Sequence, residues 1–246
     1  MSEYSLAFDP PLMNAAGSLG FAPDRRSMAH LPALGAFFTN PVSLGTRSPA
    51  RGERYLAFPG GFLLHTGYPN PGLRAVIRRH AAQWRRQELP VWVHLLAQSP
   101  DDVGQMVRLL EGIDGVAGVE LGIPPDVDPG TAAAFTRAAQ GELPVLARLP
   151  AEQAIELAGV VLSSGAAAVS LAPLRGALPL PGRGLLRGRL YGPALLPQAL
   201  EAVRVLAGIG FPVVGAGGIN RLEDIGAMRS AGALAIQLDA VLWRGF

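Results

Sequence analysis

The segment Val213-Val214-Gly215-Ala216-Gly217-Gly218-Ile219-Asn220 runs from an apolar strand into glycines, and Glu223-Asp224 follow where a helix would begin. A strand that turns through glycine into a helix is half of a βαβ unit. Its backbone N–H groups, helped by the partial positive charge of the helix N-terminus, suit a phosphate. Seven further short apolar runs, many of them bounded by turn residues, occur along the chain. They are Leu12–Ala16, Ala36–Thr39, Val91–Leu96, Gly118–Ile123, Val145–Leu149, Ala167–Ala172 and Leu234–Asp239. Segments with helical spacing lie between most of them: 72–87, 100–112, 131–140, 152–163, 197–208 and 222–230. This alternation predicts a parallel sheet of the α/β class, and eight strands buried on both faces predict a closed (β/α)8 TIM barrel. No linker interrupts the pattern, so residues 1–246 form one domain. Only Ala240–Phe246 follow the eighth strand, which truncates the final helix. Its place on the barrel wall then needs cover from a partner subunit, a second copy of the chain or the Leu242-Trp243 stub.

Two absences narrow the chemistry. The 246 residues include no Cys, and each of the 21 basic residues counted as Lys+Arg is Arg. Thiolate nucleophiles, Cys-held metals, lysine Schiff bases and a P-loop lysine are therefore excluded. Arg, His, carboxylates, hydroxyls and backbone amides remain. No group has metal-ligand spacing. Met1 to Asp9 lacks the pattern of a signal peptide. The uncharged stretch 157–174 is broken at Ser163-Ser164-Gly165, so no membrane span is expected. A soluble, cytoplasmic protein follows from this. Arg74, Arg78 and Arg85 share a stripe of one helix opposite Leu73, Ile77, Ala81 and Trp84, as a solvated outer face would, so no nucleic-acid partner is expected.

In such barrels the strand C-termini and the loops after them carry function. Glu120 is the only charge in the fourth strand and Arg148 the only charge in the fifth; if both point inward they can pair. His94 interrupts the third strand, and His65 lies in the long segment 41–70; either can exchange a proton near neutral pH. Asp239, at the end of the eighth strand, would repel a phosphate held by the glycine turn unless something compensates. The second long segment, 174–192, holds Arg175, Arg183, Arg187 and Arg189 and has the composition of a lid or an ordinary loop.

Taken together these residues resemble the dihydroorotate dehydrogenase family, FMN-containing barrels, over nearly the whole chain. Leu12 to Gly17 resembles the family's opening flavin-contacting segment, Gly35 to Asn40 its second strand and Thr66 to Gly72 its substrate loop. Tyr191-Gly192-Pro193-Ala194 is similar to its Ser-Gly-Pro segment, and Val214 to Ile219 to its phosphate turn. The resemblance implies FMN held by Ala16, Gly17, Asn40, Arg148, Gly192, Gly217 and Gly218. It also exposes departures. Asn40 and Arg148 stand where the family has Lys; Leu64, Gly122 and Ala172 stand where it has Asn. Pro124-Pro125-Asp126 lacks the Cys or Ser that serves as base, and Asp239-Ala240 replaces its Gly-Thr. A lost general base removes roughly 10²–10⁴ in rate.

Three functions follow. The first is an FMN-dependent oxidoreductase acting on a substrate other than dihydroorotate, with His65 or His94 exchanging the proton; Glu120, the other candidate catalytic group, belongs with Arg148 and the glycine turn to the third. The second is a non-catalytic barrel kept as a subunit or scaffold. The third is a flavin-free enzyme on a phosphorylated metabolite. Each takes a small-molecule or phosphorylated ligand or a partner chain.

Overall fold

A computed structural model describes residues 6–24, 28–182 and 184–245. Arg183, and most of the Met1–Asp9 segment read above for a signal peptide, lie outside the described residues. In chain order the elements begin with strands β1 (Leu12–Asn14), β2 (Phe37–Phe38), β3 (Tyr55–Phe58) and β4 (Gly61–Leu64). Helices and strands then alternate: α1 (Leu73–Trp84), β5 (Val91–Leu95), α2 (Pro100–Leu110), β6 (Val116–Gly122), α3 (Pro129–Ala138) and β7 (Val145–Leu149). After α4 (Ala154–Ser163) and β8 (Ala168–Leu171) come two more strands, β9 (Arg175–Leu180) and β10 (Gly184–Tyr191). The chain finishes with α5 (Leu196–Gly208), β11 (Val213–Ala216), α6 (Leu222–Ser230), β12 (Ala235–Leu238) and the short α7 (Val241–Arg244).

Eight parallel strands form one sheet in the order β1-β12-β11-β8-β7-β6-β5-β2. The ring closes between β1 and β2 through a single bridge, Met13 to Ala36. Asn14 reinforces that seam: its Nδ2 donates to the Phe38 carbonyl at 2.7 Å and its Oδ1 accepts the Phe38 N–H at 2.8 Å. A buried amide side chain thus replaces ladder bonds that two short strands cannot make. The expected barrel is present, and the uncharged stretch 157–174 divides between α4 and β8 rather than forming one long helix. Among the described residues no helix is long and apolar enough to cross a membrane.

The barrel interior has two layers. The lower one is apolar: Met13, Ala36, Phe38, Trp92, Leu146, Ala168, Val214 and Ala235 form one buried cluster. Trp92 is its largest member and stacks on Phe38, with ring centroids 5.6 Å apart. Gly118 on the neighbouring strand makes room for it, since a Cβ there would stand 2.6 Å from the indole. Two residues further along each strand the side chain points inward again. At that level Trp92 gives way to His94, Gly118 to Glu120, Leu146 to Arg148, Ala168 to Ser170 and Ala235 to Gln237, all buried. The apolar floor therefore carries a polar layer on the side of the strand C-termini. Between the strands and helices lies a second, larger core that includes Trp84, Met106, Phe135, Leu157 and Leu206. The arginines of α1 face outward, with Leu73, Val76 and Trp84 buried beneath.

The two long segments are not irregular lids. They pair as an antiparallel sheet in the order β3-β4-β10-β9, lying over the C-terminal mouth. The sequence carried a period-two signal there, visible in the alternating exposure of β3 and β9, but their content of Pro, Gly and Arg masked it. Pro59-Gly60 makes the two-residue turn between β3 and β4, with Gly60 at φ +85°. Gly192 is held by this sheet, because a Cβ on it would meet Gly60 and Gly61 at 2.5 Å. Arg175, at the start of β9, grips Asp126 with two bonds of 2.7 Å, tying the sheet to the loop after β6. At the chain's end Val241 and Leu242 are buried against the core, while Trp243 is 47% exposed. Its indole N–H donates to the Ser18 carbonyl at 2.9 Å, so α7 is fastened over the segment after β1.

Because the floor depends on one large ring, Trp92→Ala is expected to lower stability by about 3–5 kcal/mol. Urea unfolding followed by circular dichroism measures it; a loss below about 1 kcal/mol would show that the floor repacks.

Candidate functional site

Glu120 is the centre of the polar layer. It has no exposed surface and accepts from four side chains on four different strands. Oε2 faces His94 Nδ1 at 2.6 Å and Arg148 Nη1 at 3.4 Å. Oε1 accepts from Gln237 Nε2 at 2.7 Å and from the Ser170 hydroxyl at 3.0 Å. The register explains the convergence, since β5, β6, β7 and β8 present these residues at adjacent inward positions and Gln237 reaches across from β12. Burial works against the charge on Glu120, but the Arg148 guanidinium and the His94 hydrogen bond outweigh it and hold its pKa at about 2. The carboxylate is therefore ionised at any pH where the protein works, and it can only accept hydrogen bonds.

That fixes the state of His94. Nδ1 must carry the hydrogen that bonds to Glu120. Burial lowers the imidazole pKa; the Glu120 bond pulls it back and Arg148 adds to the lowering. A neutral ring with Nδ1–H has its lone pair on Nε2, and Nε2 makes no hydrogen bond with the described residues. A Cβ on Gly122 would stand 3.0 Å from Nε2. A side chain at position 122 would therefore crowd this nitrogen, and glycine leaves it clear. His94 and Gly122 fit one another on neighbouring strands.

Two buried polar atoms of the layer have no partner among the described residues: Arg148 Nε, a donor, and Gln237 Oε1, an acceptor. Orphaned buried groups are uncommon and point to a missing ligand or water. Cavities of about 250 Å³ and 90 Å³ lie at this end of the barrel. Ala16, Gly17, Asn40, Leu64, Tyr191 and Trp243 are among the walls of the larger one, into which Arg189 also projects, stacked on the Tyr68 ring at 4.2 Å. The smaller lies near Gly217 and Asp239. Alternate residues of β10 separate the two, with Leu190 on the smaller cavity and Arg189 and Tyr191 on the larger.

The structure brings His94, Glu120 and Arg148 together, and it gathers Ala16, Gly17 and Asn40 at one cavity. His65 is apart from them. It is exposed just beyond β4, where alternation turns Leu64 inward instead. Asn40 is also engaged structurally: its Oδ1 accepts the Gly20 N–H at 3.1 Å. Gly217 and Gly218 have φ of +102° and +76°, and a Cβ on Gly218 would strike the Leu196 amide nitrogen at 2.2 Å. That glycine is demanded by the close approach of α5 whether or not an anion is bound. Asp126 faces outward to Arg175, with its φ at +62°. Sequence reasoning missed Ser170 and the Gln237 contact with Glu120. Both are single polar residues inside apolar strands, which is the signal that could have found them.

Models of protein families give no match to the chain. Individual proteins do. It is 30% identical to the dihydroorotate dehydrogenase B (NAD(+)) catalytic subunit of Trichlorobacter lovleyi, over 95% of this chain and 84% of that one. It is 31% identical to the subunit of the same name from Pelobacter propionicus, over 93% and 82%. Among solved structures, dihydroorotate dehydrogenase from Eimeria tenella, in complex with ferulenol, superposes with a TM-score of 0.77 at 16% identity, covering 98% of this chain and 78% of that one. This last likeness concerns the fold.

Glu120 is the carboxylate in contact with the buried Arg148 guanidinium and the foremost group offsetting its charge, so Glu120→Gln is expected to reduce stability by about 3–5 kcal/mol at neutral pH. The folded pKa of about 2 lies below the ordinary 4.5. The stabilisation is then complete above pH 4.5 and disappears as pH falls from 4.5 towards 2. Denaturant titrations should show the gap between the two proteins narrowing through that window; a constant gap would remove Glu120 from this role.

Proposed function

The chain belongs to the dihydroorotate dehydrogenase family, and on that footing we propose that it is a flavin-dependent oxidoreductase whose substrate is not dihydroorotate. The observation that carries the flavin is the pair of unpartnered atoms, Arg148 Nε and Gln237 Oε1. The pyrimidine edge of a flavin presents carbonyl acceptors and one N–H donor, which answers one orphan donor and one orphan acceptor. FMN is the flavin that the family resemblance implies. Arg148 and Gln237 would hold its ring end; a phosphate held at the glycine turn would face the Asp239 carboxyl beside Gly217, which does not suit a dianion.

A bound flavin would supply a two-electron acceptor for a hydride. The chain's own residues supply the rest. Arg148 places a fixed positive charge at the top of the barrel, with its Nη1 held by Glu120. Neutral His94 offers Nε2 as a proton acceptor, and Glu120 at Nδ1 fixes the tautomer and stabilises the ring once it is protonated. The family's base position contributes nothing comparable, since Asp126 is exposed and paired with Arg175.

A substrate other than dihydroorotate is supported by three missing amides. Leu64, Gly122 and Ala172 stand where the family carries Asn. Each hydrogen bond lost to a buried polar substrate costs about 1–3 kcal/mol. The larger cavity is instead walled by Leu64, Pro41, Pro69 and aromatic rings, with Arg189 as a cation at its edge. A partly apolar substrate with an anionic group matches that lining.

The purified protein should show flavin absorption bands in the visible, or acquire them on titration. Gln237→Met, which leaves the Arg148 charge in place, is expected to weaken flavin binding by roughly five- to ten-fold by equilibrium dialysis, and Arg148→Ala by more. A colourless protein that binds no flavin overturns the proposal.

A further inference from the structure

Asp239 follows β12 and is not used by the chemistry above. Its side chain is only 7% exposed, yet it stands on the wall of the smaller cavity. Oδ1 accepts the N–H of Ala240 at 2.5 Å and the residue's own N–H also acts on the carboxyl, while no other described residue donates to Oδ2. Across the cavity stand Ala216 and Gly217, and α5 closes the side with Gln198 and Ala199.

In (β/α)8 barrels, the loops after the seventh and eighth strands often hold a ligand's phosphate through backbone amides and a helix N-terminus. Here several of those donors are already spent on the chain's own carboxylates. Asp239 takes the Ala240 amide. Asp224, itself buried, takes the amides of Asn220 and Arg221 at 2.9 Å each, at the start of α6. Among the described residues no cation lines the cavity to compensate. Arg148 on β7 is the cation that acts on Asp239, but Glu120 already balances its charge. The other titratable group facing Asp239 is the buried phenol of Tyr191 on β10. The described cavity walls from β8, β11 and α5 bring no charge.

We propose that Asp239 is a specificity residue that excludes a phosphate from this cavity, so that the chain selects a flavin whose ribityl chain ends in a free hydroxyl, riboflavin, over its phosphomonoester. The inference rests on the flavin reading above. A terminal O–H donates to Oδ2, and it does so to either ionisation state of the carboxyl. A phosphate dianion meets a like charge that no cation among the described walls offsets; the Ala240, Asn220 and Arg221 amides are occupied, and Gly217 and Gly218 bring the amides that remain. Burial raises the Asp239 pKa to about 6, with the Ala240 amide and Arg148 working the other way. The carboxyl is therefore ionised above that pH, and phosphate exclusion should strengthen as pH rises through it. A phosphomonoester gains its second charge near pH 6 as well, so a variant is needed to assign the effect.

Fluorescence-quenching titrations of the flavin-free chain with riboflavin and with FMN test this. At a pH of about 8 riboflavin should bind at least roughly ten-fold more tightly than FMN, and the difference should shrink at a pH of about 5. Asp239→Asn should tighten FMN by about ten-fold at the higher pH and leave riboflavin within about three-fold. Equal binding, or tighter FMN, by the unaltered protein at the higher pH overturns the selection while leaving the flavin proposal standing. If neither flavin binds, both fail. Should the variant not fold, the unaltered protein still decides, because a preference identical at both pH values excludes Asp239 as its source.

Discussion

A carboxylate without any solvent contact sits on the axis of the barrel, and the rest of the upper layer is arranged around its charge. Taking Glu120 out of water is unfavourable by itself. It becomes tolerable only because one cation and three neutral donors converge on two oxygens, each from a different strand. The demand is geometric as well as electrostatic. It fixes the inward register of β5, β7, β8 and β12 relative to β6, and it fixes which nitrogen of His94 carries the hydrogen. It also leaves Arg148 Nε and Gln237 Oε1 without work, since each side chain has turned its other end to the carboxylate. The same interaction that organises the layer thereby creates an unused donor and acceptor.

Much of the fold was legible in the sequence because its causes are local. Val145–Leu149 is a strand in both descriptions, and Pro100 marks a helix start through the Pro preference of first turns, whereas the helix read as 131–140 begins two residues earlier, behind the Asp128 cap. The sheet formed by β3, β4, β10 and β9 was not legible, since it joins segments more than 100 residues apart and neither hairpin is stable alone. At the site, Glu120 and Arg148 stood out as single charges in apolar strands, and they do pair. His65 stood out for the same chemical reason but not for a structural one, because residue type says nothing about which face of β4's continuation meets the cavity. The role of Gly122 was hidden altogether. A missing side chain acquires meaning only beside the imidazole that occupies its space.

The glycine turn after β11 shows how one motif can serve two ends. Gly218 is required by the approach of α5, so its presence does not by itself signify a ligand. The residues that follow the eighth strand say more about the ligand than the turn does. There the chain has placed a carboxyl, and it has supplied no counter-charge within the described cavity.

The β1–β2 seam makes the barrel a split ring rather than a continuous hoop. Seven junctions are strand ladders; the eighth is one bridge and one asparagine side chain. Ala16 and Gly17 continue from one lip of the split, Asn40 and Pro41 from the other, and all four line the larger cavity. The width of that cavity is thus governed by the junction with the least hydrogen bonding. Met13, Ala36 and Phe38 belong both to this seam and to the apolar floor around Trp92, so packing beneath the cavity holds together the lips that hydrogen bonds join so sparsely.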